Sequence, residues 1–554
     1  MIESENKLIQ VNYNDETIDV MEGTSLLELS KKFKKDFTYD ILVAKVDNDI
    51  CDLDTILNKS CKVDFFDRTS SVGNSVYLAS AGFMLFLAVK QLYGTKARIV
   101  AKHSANWGIC FNTLNETITP EIVSKLEDEM HEIEKQDYKF IKLSVSRTDA
   151  IRYFKKNKQD DKANSLKYIS NTYVNLYRVN DLYDYFYAKL AYSTKSIDTF
   201  RLTYIDEHNL ALTTPDIFNP NVLTEYHHYK KVFEEFKRFD KFCSDCYDVD
   251  VVYAAHMNKI VSMSKTKELI NLSETYYDDE LARAGYEICQ KAGQCRVVFL
   301  AGPSSSGKTT TSNKLKNYIK IHGINAYNIS LDDYFYSKDE YTGDYDAVEA
   351  LDLDLFNKNI KDLLSGKTVD MPTYNFIKGK REFNGETLKL KENDIVIVEG
   401  IHALNEKASA NIEKDKIYKI FLAPLAHLNI DDHNYIHTSD IRKLRRIVRD
   451  NKTRGHDATD TLTMWNKVFL NEKKYIYPHQ DEVDIVINSF LMYEIGVLKT
   501  YVEPLLFNIP EDSPVYPEAL RLINFLRNIL PMPSDDVPND SVLREFIGGS
   551  CYKV

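Results

Sequence analysis

Residues 302–309 read GPSSSGKT, a Gly302-x4-Gly307-Lys308-Thr309 spacing. It suits the handling of a nucleoside triphosphate. The glycines let backbone N–H groups turn toward phosphate oxygens, the lysine reaches the β- and γ-phosphates, and the adjacent hydroxyl can ligand Mg²⁺. The ATP-binding candidates are therefore Gly302, Ser304, Ser305, Ser306, Gly307, Lys308, Thr309 and Thr310, with ATP and Mg²⁺ as the implied cofactors. Further along, Asp332 and Asp333 follow the run NAYNIS, and Glu399 follows DIVIV. A carboxylate beyond the end of a strand can take a proton from an attacking hydroxyl and approach Mg²⁺, although an Asp capping the next element would read the same way. An acidic residue after a hydrophobic strand, behind a P-loop, is the Walker-B arrangement. Thr309, Asp332 and Glu399 are the metal candidates. Arg442, Arg445, Arg446 and Arg449 recur at helical spacing, and Arg454 follows. Guanidiniums on one helix face can clamp a phosphate, or can pair with Asp440 and Asp450 on a solvated face; behind a P-loop the clamp is the reading adopted.

These residues need a scaffold that brings strand ends together. VVFLA before the P-loop reads as a buried parallel strand, and Leu315, Tyr318 and Ile319 mark one face of the helix after it. From residue 295 on, VVFLA, AYNIS, DIVIVEG, KIYKIFLA and VDIVINS alternate with helical patterns. That is a parallel α/β sheet flanked by helices, whose ligands sit beyond the carboxyl ends of its strands.

A chain of 554 residues is too long for one domain. A net charge of −12, from 71 basic and 83 acidic residues, argues against bulk nucleic-acid binding while leaving room for a local basic site. The eight cysteines are scattered, which points away from a disulfide framework and toward a reducing, cytoplasmic location. Cys243-x2-Cys246 lacks a second pair at zinc spacing, and His433 and His437, in HNYIH, lack a third ligand; neither is read as a metal site. The start, MIESENKLIQ, has no apolar core of a signal peptide. Residues 69–89 carry no charge and are long enough to span a membrane, but serines, a glycine and an asparagine dilute their first third; a buried core helix is expected and no membrane contact.

Over about residues 290–500 the words GPSSSGKTT, SLDDYF, YDAVEALDLDLF, MPTYNF, GKREF, IVIVEGIHAL and RRIVRDNKTRGHD occur in the order seen in the uridine kinase/phosphoribulokinase family, which this segment resembles. The resemblance implies a catalytic base at Asp332, with Asp333 as the alternative. It implies a ribose-binding Asp346, an aromatic near the base at Tyr374, and an arginine helix and lid at Arg446, Arg449 and Arg454. Lys308, Asp332, Arg446 and Arg449 form the implied catalytic set, Arg454 joins the ATP set, and Asp346, Tyr374 and Arg446 form the substrate set. The sequence departs from the family where a pyrimidine-contacting His falls near Gly379, where a lid Arg is His456, and where residues 466–471 read NKVFLN in place of arginines.

Residues 6–66 alternate short strand-like runs with one helix-like piece, an α+β pattern. IQVNYNDETIDVMEGTSLLELS and ILVAKVDNDICDLDTIL resemble a TGS domain, a ubiquitin-like module of threonyl-tRNA synthetases and some GTPases. Residues 75–215 resemble the editing-type second domain of threonyl-tRNA synthetase, whose two His-containing motifs fall here on Ala79, Phe83, Tyr183 and Tyr187, so editing activity is not expected. His103 and Trp107 could line a pocket there, with a structural role for His103 the simpler reading. The resulting organisation is multidomain α/β and α+β: a TGS-like domain at 1–68, a degenerate editing-like domain at 69–215, a helical connector at 216–290 and a P-loop kinase domain at 291–554. Since every phosphate-handling motif lies beyond 300, removal of residues 1–215 is expected to leave the ATP site formed. The implied activity is ATP-dependent phosphorylation of a nucleoside such as uridine or cytidine. The alternatives are an ATP-switched RNA- or ribosome-associated regulator, acting through the N-terminal half, and a kinase of another small alcohol such as a sugar phosphate. Homo-oligomerisation is left open.

Overall fold

The structure is a computed structural model. It describes all residues except 1–6, 15, 95, 106–107, 115, 246–250, 292, 346, 377 and 554, which takes Asp346, Trp107 and Cys246 outside the described residues.

Alternation organises the first module. In LIQVNY, Ile9, Val11 and Tyr13 point inward and their neighbours outward. This strand pairs antiparallel with Glu16–Met21 and parallel with Cys61–Phe66, and Val43–Val46 and Asp49–Cys51 complete a mixed five-stranded sheet. The one long helix of the module, Leu26–Phe33, starts at a Ser25–Glu28 capping box and buries Leu26, Leu29 and Phe33 against the sheet.

Helix Ser71–Tyr93 follows, long and apolar enough to cross a membrane, yet mostly buried inside the protein. It packs in a core with Phe111, Phe140, Phe186 and Leu210. Around it stand a four-stranded antiparallel sheet and a three-stranded one. Helix Pro120–Lys135 begins at the cap Thr119, as its Thr-Pro start suggests.

The half that carries the P-loop is built on five parallel strands in the order Ala326–Ser330, Ile395–Glu399, Val297–Ala301, Ile417–Ala423, Ile485–Asn488. The strand period of two sends Val298 and Leu300 into one core, with Leu315 and Ile319 of the P-loop helix Lys308–Ile321. It sends Val297, Phe299 and Ala301 into another, with Phe356 and Ile360. Both faces are thus covered, which is why these strands read as unbroken apolar runs. Between residues 216 and 290 stand helices Lys230–Asp245, Ala254–Ser262 and Thr266–Gln290, which are packed into the P-loop half rather than set apart as a connector. Helix Thr266–Gln290 packs Leu281, Ala284 and Ile288 into the same core as Val298 and Leu315, and Val232 and Phe236 enter the core on the other face. The proposed boundary at 290 therefore runs through a continuous core.

The halves are also joined. Residues 427–437, between strand Ile417–Ala423 and helix Thr438–Thr453, are wedged into the N-terminal half. Asn429 donates to the Ala101 and Lys102 carbonyls at 2.7 and 2.9 Å, and Ser165 Oγ donates to the Ile430 carbonyl at 2.6 Å. Lys162 is fully buried between Asp184 (2.9 Å) and Asp431 (3.2 Å). His433 pairs with Asp184 and stacks on Phe86 with centroids 3.5 Å apart, while His437 lines a cavity between the halves. The HNYIH pair is thereby divided between two tasks. Losing residues 1–215 would strip this interface and open residues 427–437, which lead into the arginine helix, to solvent, so the P-loop half is not packed as an independent unit.

Lys162→Met in the full chain should cost about 3–5 kcal/mol, because two buried carboxylates lose their common cation. Urea unfolding followed by fluorescence measures this; a midpoint equal to wild type would refute it.

Candidate functional site

The P-loop joins strand Val297–Ala301 to helix Lys308–Ile321 at the centre of the sheet. Only glycine fits at 302, where an added Cβ would lie 2.1 Å from the Leu422 carbonyl oxygen. Ser305 (φ 62°) and Gly307 (φ 90°) are left-handed, which curls the loop. A loop that turns N–H groups inward must turn carbonyls outward, and these are gripped. Arg442 Nε donates to Ser304 O at 2.9 Å. Arg445 donates to Ser305 O and Ser306 O at 3.3 and 3.4 Å, and Ser489 Oγ to Ser306 O at 2.7 Å. Lys308 Nζ lies 3.1 Å from Gly302 O and 3.3 Å from Pro303 O.

The arginine helix Thr438–Thr453 therefore divides its labour. Arg442 and Arg445 are fully buried and ion-paired, to Glu472 and Glu494 respectively. They brace the P-loop backbone and do not join a phosphate clamp, which corrects the reading of four arginines on one working face. Arg446, Arg449 and Arg454 converge on the buried Asp450, at 3.1, 2.8 and 3.7 Å, and Arg446 also donates to Ser304 Oγ at 2.9 Å. Three guanidiniums around one carboxylate leave an excess of positive charge. Burial and the neighbouring Arg449 bring the Arg454 guanidinium down to about 10. Such a crowded site favours an anion.

The two candidate bases have different surroundings. Asp333 accepts the Tyr374 N–H at 3.0 Å and so fastens the turn Leu331–Tyr334 to strand Thr368–Asn375. The charge of Asp332 instead acts on Lys308, Glu399 and Arg454. Burial, and then the charge of Asp332, push the Glu399 carboxyl up to about 7, against the pull of Lys308; Ser330 Oγ donates to it at 2.9 Å. Burial holds Lys308 below the usual lysine value, opposed chiefly by Glu399 and Asp332. Two carboxylates that repel one another, with Thr309 the hydroxyl candidate next to Lys308 in the chain, are hard oxygen donors. They fit Mg²⁺, which takes one or two carboxylates and completes its shell with phosphate oxygens and water.

On the acceptor side Tyr374 is buried, edge-on to Phe335 at 5.6 Å and to Phe376 at 5.0 Å. Asp346, expected at the ribose, lies outside the described residues. Gly379 has φ 64° and its carbonyl accepts from Lys338 N at 2.9 Å, so a tight turn stands where the family's histidine would be. His456 is half-exposed and faces Asp460 at 3.7 Å. From NKVFLN, Lys467 and Asn471 reach Asp344, at 2.9 and 3.4 Å, and tie helix Ala458–Tyr475 to the acceptor loop.

Of the editing-like positions, Ala79 and Tyr187 line one small cavity, Phe83 is buried among Phe140 and Phe186, and Tyr183 packs on Tyr153. His103 stacks on Phe236 at 3.7 Å, and burial lowers its pKa to about 3. Sequence reasoning missed Glu472, whose Oε1 accepts the Ser304 N–H at 2.7 Å, and Glu545, whose Oε2 accepts from Thr310. Glu472 sits in no motif, and Glu545, although in the family-like word LREFIGGSCY, carries no sign there of its partner; long-range packing brings both to the P-loop.

Residues 297–495 match the Phosphoribulokinase / Uridine kinase family. A uridine kinase of Staphylococcus haemolyticus is 31% identical over 199 residues, covering 34% of this chain and 86% of that protein. One from Staphylococcus carnosus is 29% identical over 224 residues, covering 38% and 97%. A solved structure titled "Structure of a Possible Uridine Kinase from Bacillus stearothermophilus" is 16% identical with a TM-score of 0.28, covering 39% of this chain and 98% of that one.

Arg445→Met should destabilise the protein by about 3–5 kcal/mol, since Glu494 stays buried without its partner. Arg449→Met should cost less, because Arg446 and Arg454 still neutralise Asp450. Denaturant unfolding of the two variants side by side checks this; equal losses would contradict the division of the arginines.

Proposed function

Since the chain belongs to the phosphoribulokinase/uridine kinase family through residues 297–495, and family membership makes it a P-loop phosphotransferase that uses ATP, we propose that its acceptor is the 5′-hydroxyl of a pyrimidine nucleoside, uridine or cytidine. The observation that carries the site assignment is the separation of the two aspartates. Asp333 accepts from the Tyr374 backbone, while the charge of Asp332 is felt at Lys308, Glu399 and Arg454. Asp332 is thus the base that takes the proton of the attacking hydroxyl. That oxygen bonds to the γ-phosphorus as the bond to the β-γ bridging oxygen breaks, and ADP leaves. The P-loop N–H groups and Lys308 hold the β- and γ-phosphates, and Arg446, Arg449 and Arg454 neutralise charge on the transferring group. Mg²⁺, held by Thr309 with Asp332 and Glu399 around it, would supply further neutralisation of the β- and γ-oxygens. Tyr374, among Phe335 and Phe376, is the aromatic wall for the base, and Asp346 the ribose ligand. Most of the catalysis is positioning and electrostatics.

The domain reading for the N-terminal half is also proposed: TGS-like at 1–68, supported by a mixed sheet with a single long helix, and editing-like without editing chemistry at 69–215. Its role is docking, with RNA or the ribosome as candidate partner, in a cytoplasmic protein. The regulator reading draws support from the seating of residues 427–437, which lead into the arginine helix, on that half. RNA co-purifying with the protein and no turnover of any alcohol would favour it.

Asp332→Asn should retain ATP binding and lose phosphoryl transfer by roughly two or more orders of magnitude, and Lys308→Ala should abolish transfer. Asp333→Asn should affect the acceptor side more than kcat. The measurement is ATP consumption with uridine, cytidine and sugar phosphates. A larger kcat loss from Asp333→Asn would move the base, and full activity of Lys308→Ala would end the kinase assignment.

A further inference from the structure

Thr310 lies in the first turn of the P-loop helix, where backbone N–H groups have no partner within the helix and are free to meet phosphate. Its N–H and its hydroxyl both donate to Glu545 Oε2, at 3.1 and 2.9 Å. A carboxylate oxygen with two donors on a P-loop has the geometry of a phosphate oxygen. Lys308 and Thr309 serve phosphate and Mg²⁺ in such a loop, and Thr310 follows them in the same first turn.

Glu545 is presented by a firmly seated scaffold. Arg544 beside it donates to the Ser534 and Val537 carbonyls at 2.9 and 2.7 Å. Phe546 is buried under the Arg445 guanidinium, 4.9 Å from the ring centroid. Val542 is packed so closely on the loop that a Cβ added at Gly307 would lie 2.2 Å from its Cγ2. The Glu545 side chain itself is partly exposed. Its charge also adds to those of Glu399 and Asp332 in the field of Lys308. A third carboxylate in a site for a polyanion opposes the ligand.

We propose that Glu545 is a nucleotide-site residue that competes with nucleotide phosphate for Thr310, so that the C-terminal segment sets the affinity of the P-loop for phosphorylated adenosine. ADP or ATP enters when the Glu545 side chain gives up its two hydrogen bonds and turns away. The inference rests on the nucleotide-binding reading of the P-loop.

The test is calorimetric titration of the full chain with ADP/Mg²⁺ and, separately, adenosine, for wild type, Glu545→Gln and Glu545→Ala. Gln keeps the size and an acceptor oxygen but loses the charge; Ala loses both. Removal of one charged competitor should tighten ADP roughly tenfold and leave adenosine unchanged. Unaltered or weaker ADP binding in both variants would overturn the proposal, as would an equal gain for adenosine, which would mark a general structural change. Failure of ADP to bind any of the three proteins would defeat the nucleotide-site reading itself. Should Glu545→Gln not fold, Glu545→Ala decides by the same criteria.

Discussion

The structure depends on a backbone constraint at the P-loop. A loop that offers its N–H groups to phosphate must dispose of its carbonyls, and beneath a covered sheet no water is at hand to take them. Arg442 and Arg445 solve this by donating to Ser304, Ser305 and Ser306 from the adjacent helix. Buried guanidiniums in turn need carboxylates, which Glu472 and Glu494 supply. Such pairs add little net stability over apolar packing, but each is costly to break. Their effect is to tie the shape of the loop to helices that are distant in sequence.

That tie extends to the other half of the molecule. The arginine helix is entered from residues 427–437, which the N-terminal half holds through Asn429, Ile430 and the buried Lys162–Asp431 pair. A cavity of about 240 Å³ lies along the same seam, lined by Leu78, Phe236, Pro303, His437 and Arg442 among others. His437 faces it uncharged, since burial lowers its pKa to about 4. Residues 427–437 thus link helix Ser71–Tyr93, through His433 on Phe86, to the arginine helix that braces the P-loop. Contiguity of this kind is a route for coupling, and coupling itself is a matter of measured energies.

The opposite side of the loop has its own long-range partners. Lys467 and Asn471 bring the helix after the arginines to Asp344, in the loop that carries the acceptor-side residues. The substitutions that set this chain apart from its family pattern are therefore not simple losses. NKVFLN provides a lysine and an amide where arginines were expected, and Gly379 provides a left-handed turn where a histidine was expected.

Much of the catalytic half was legible in the chain. All five parallel strands, the P-loop and the two acidic strand ends could be read directly, because backbone periodicity and glycine chemistry are local properties. The buried helix at 71–93 was also readable, from the polar residues diluting its start. What remained open were choices between neighbours. Asp332 and Asp333 are adjacent and chemically identical, and only the approach of Tyr374 N–H to Asp333 separates them. Four arginines at helical spacing look alike until the P-loop and Asp450 show which pair is buried under backbone and which converges at the site. The continuous core across residue 290, the packing of one half on the other and the arrival of Glu472 at the P-loop had no local signal, and the family-like word that holds Glu545 did not show where it packs. Sequence by itself determined the chemistry available and the strands that carry it. The tertiary structure alone decided which of these identical side chains are buried under the P-loop backbone and which gather at Asp450, because that depends on packing between segments far apart in the chain.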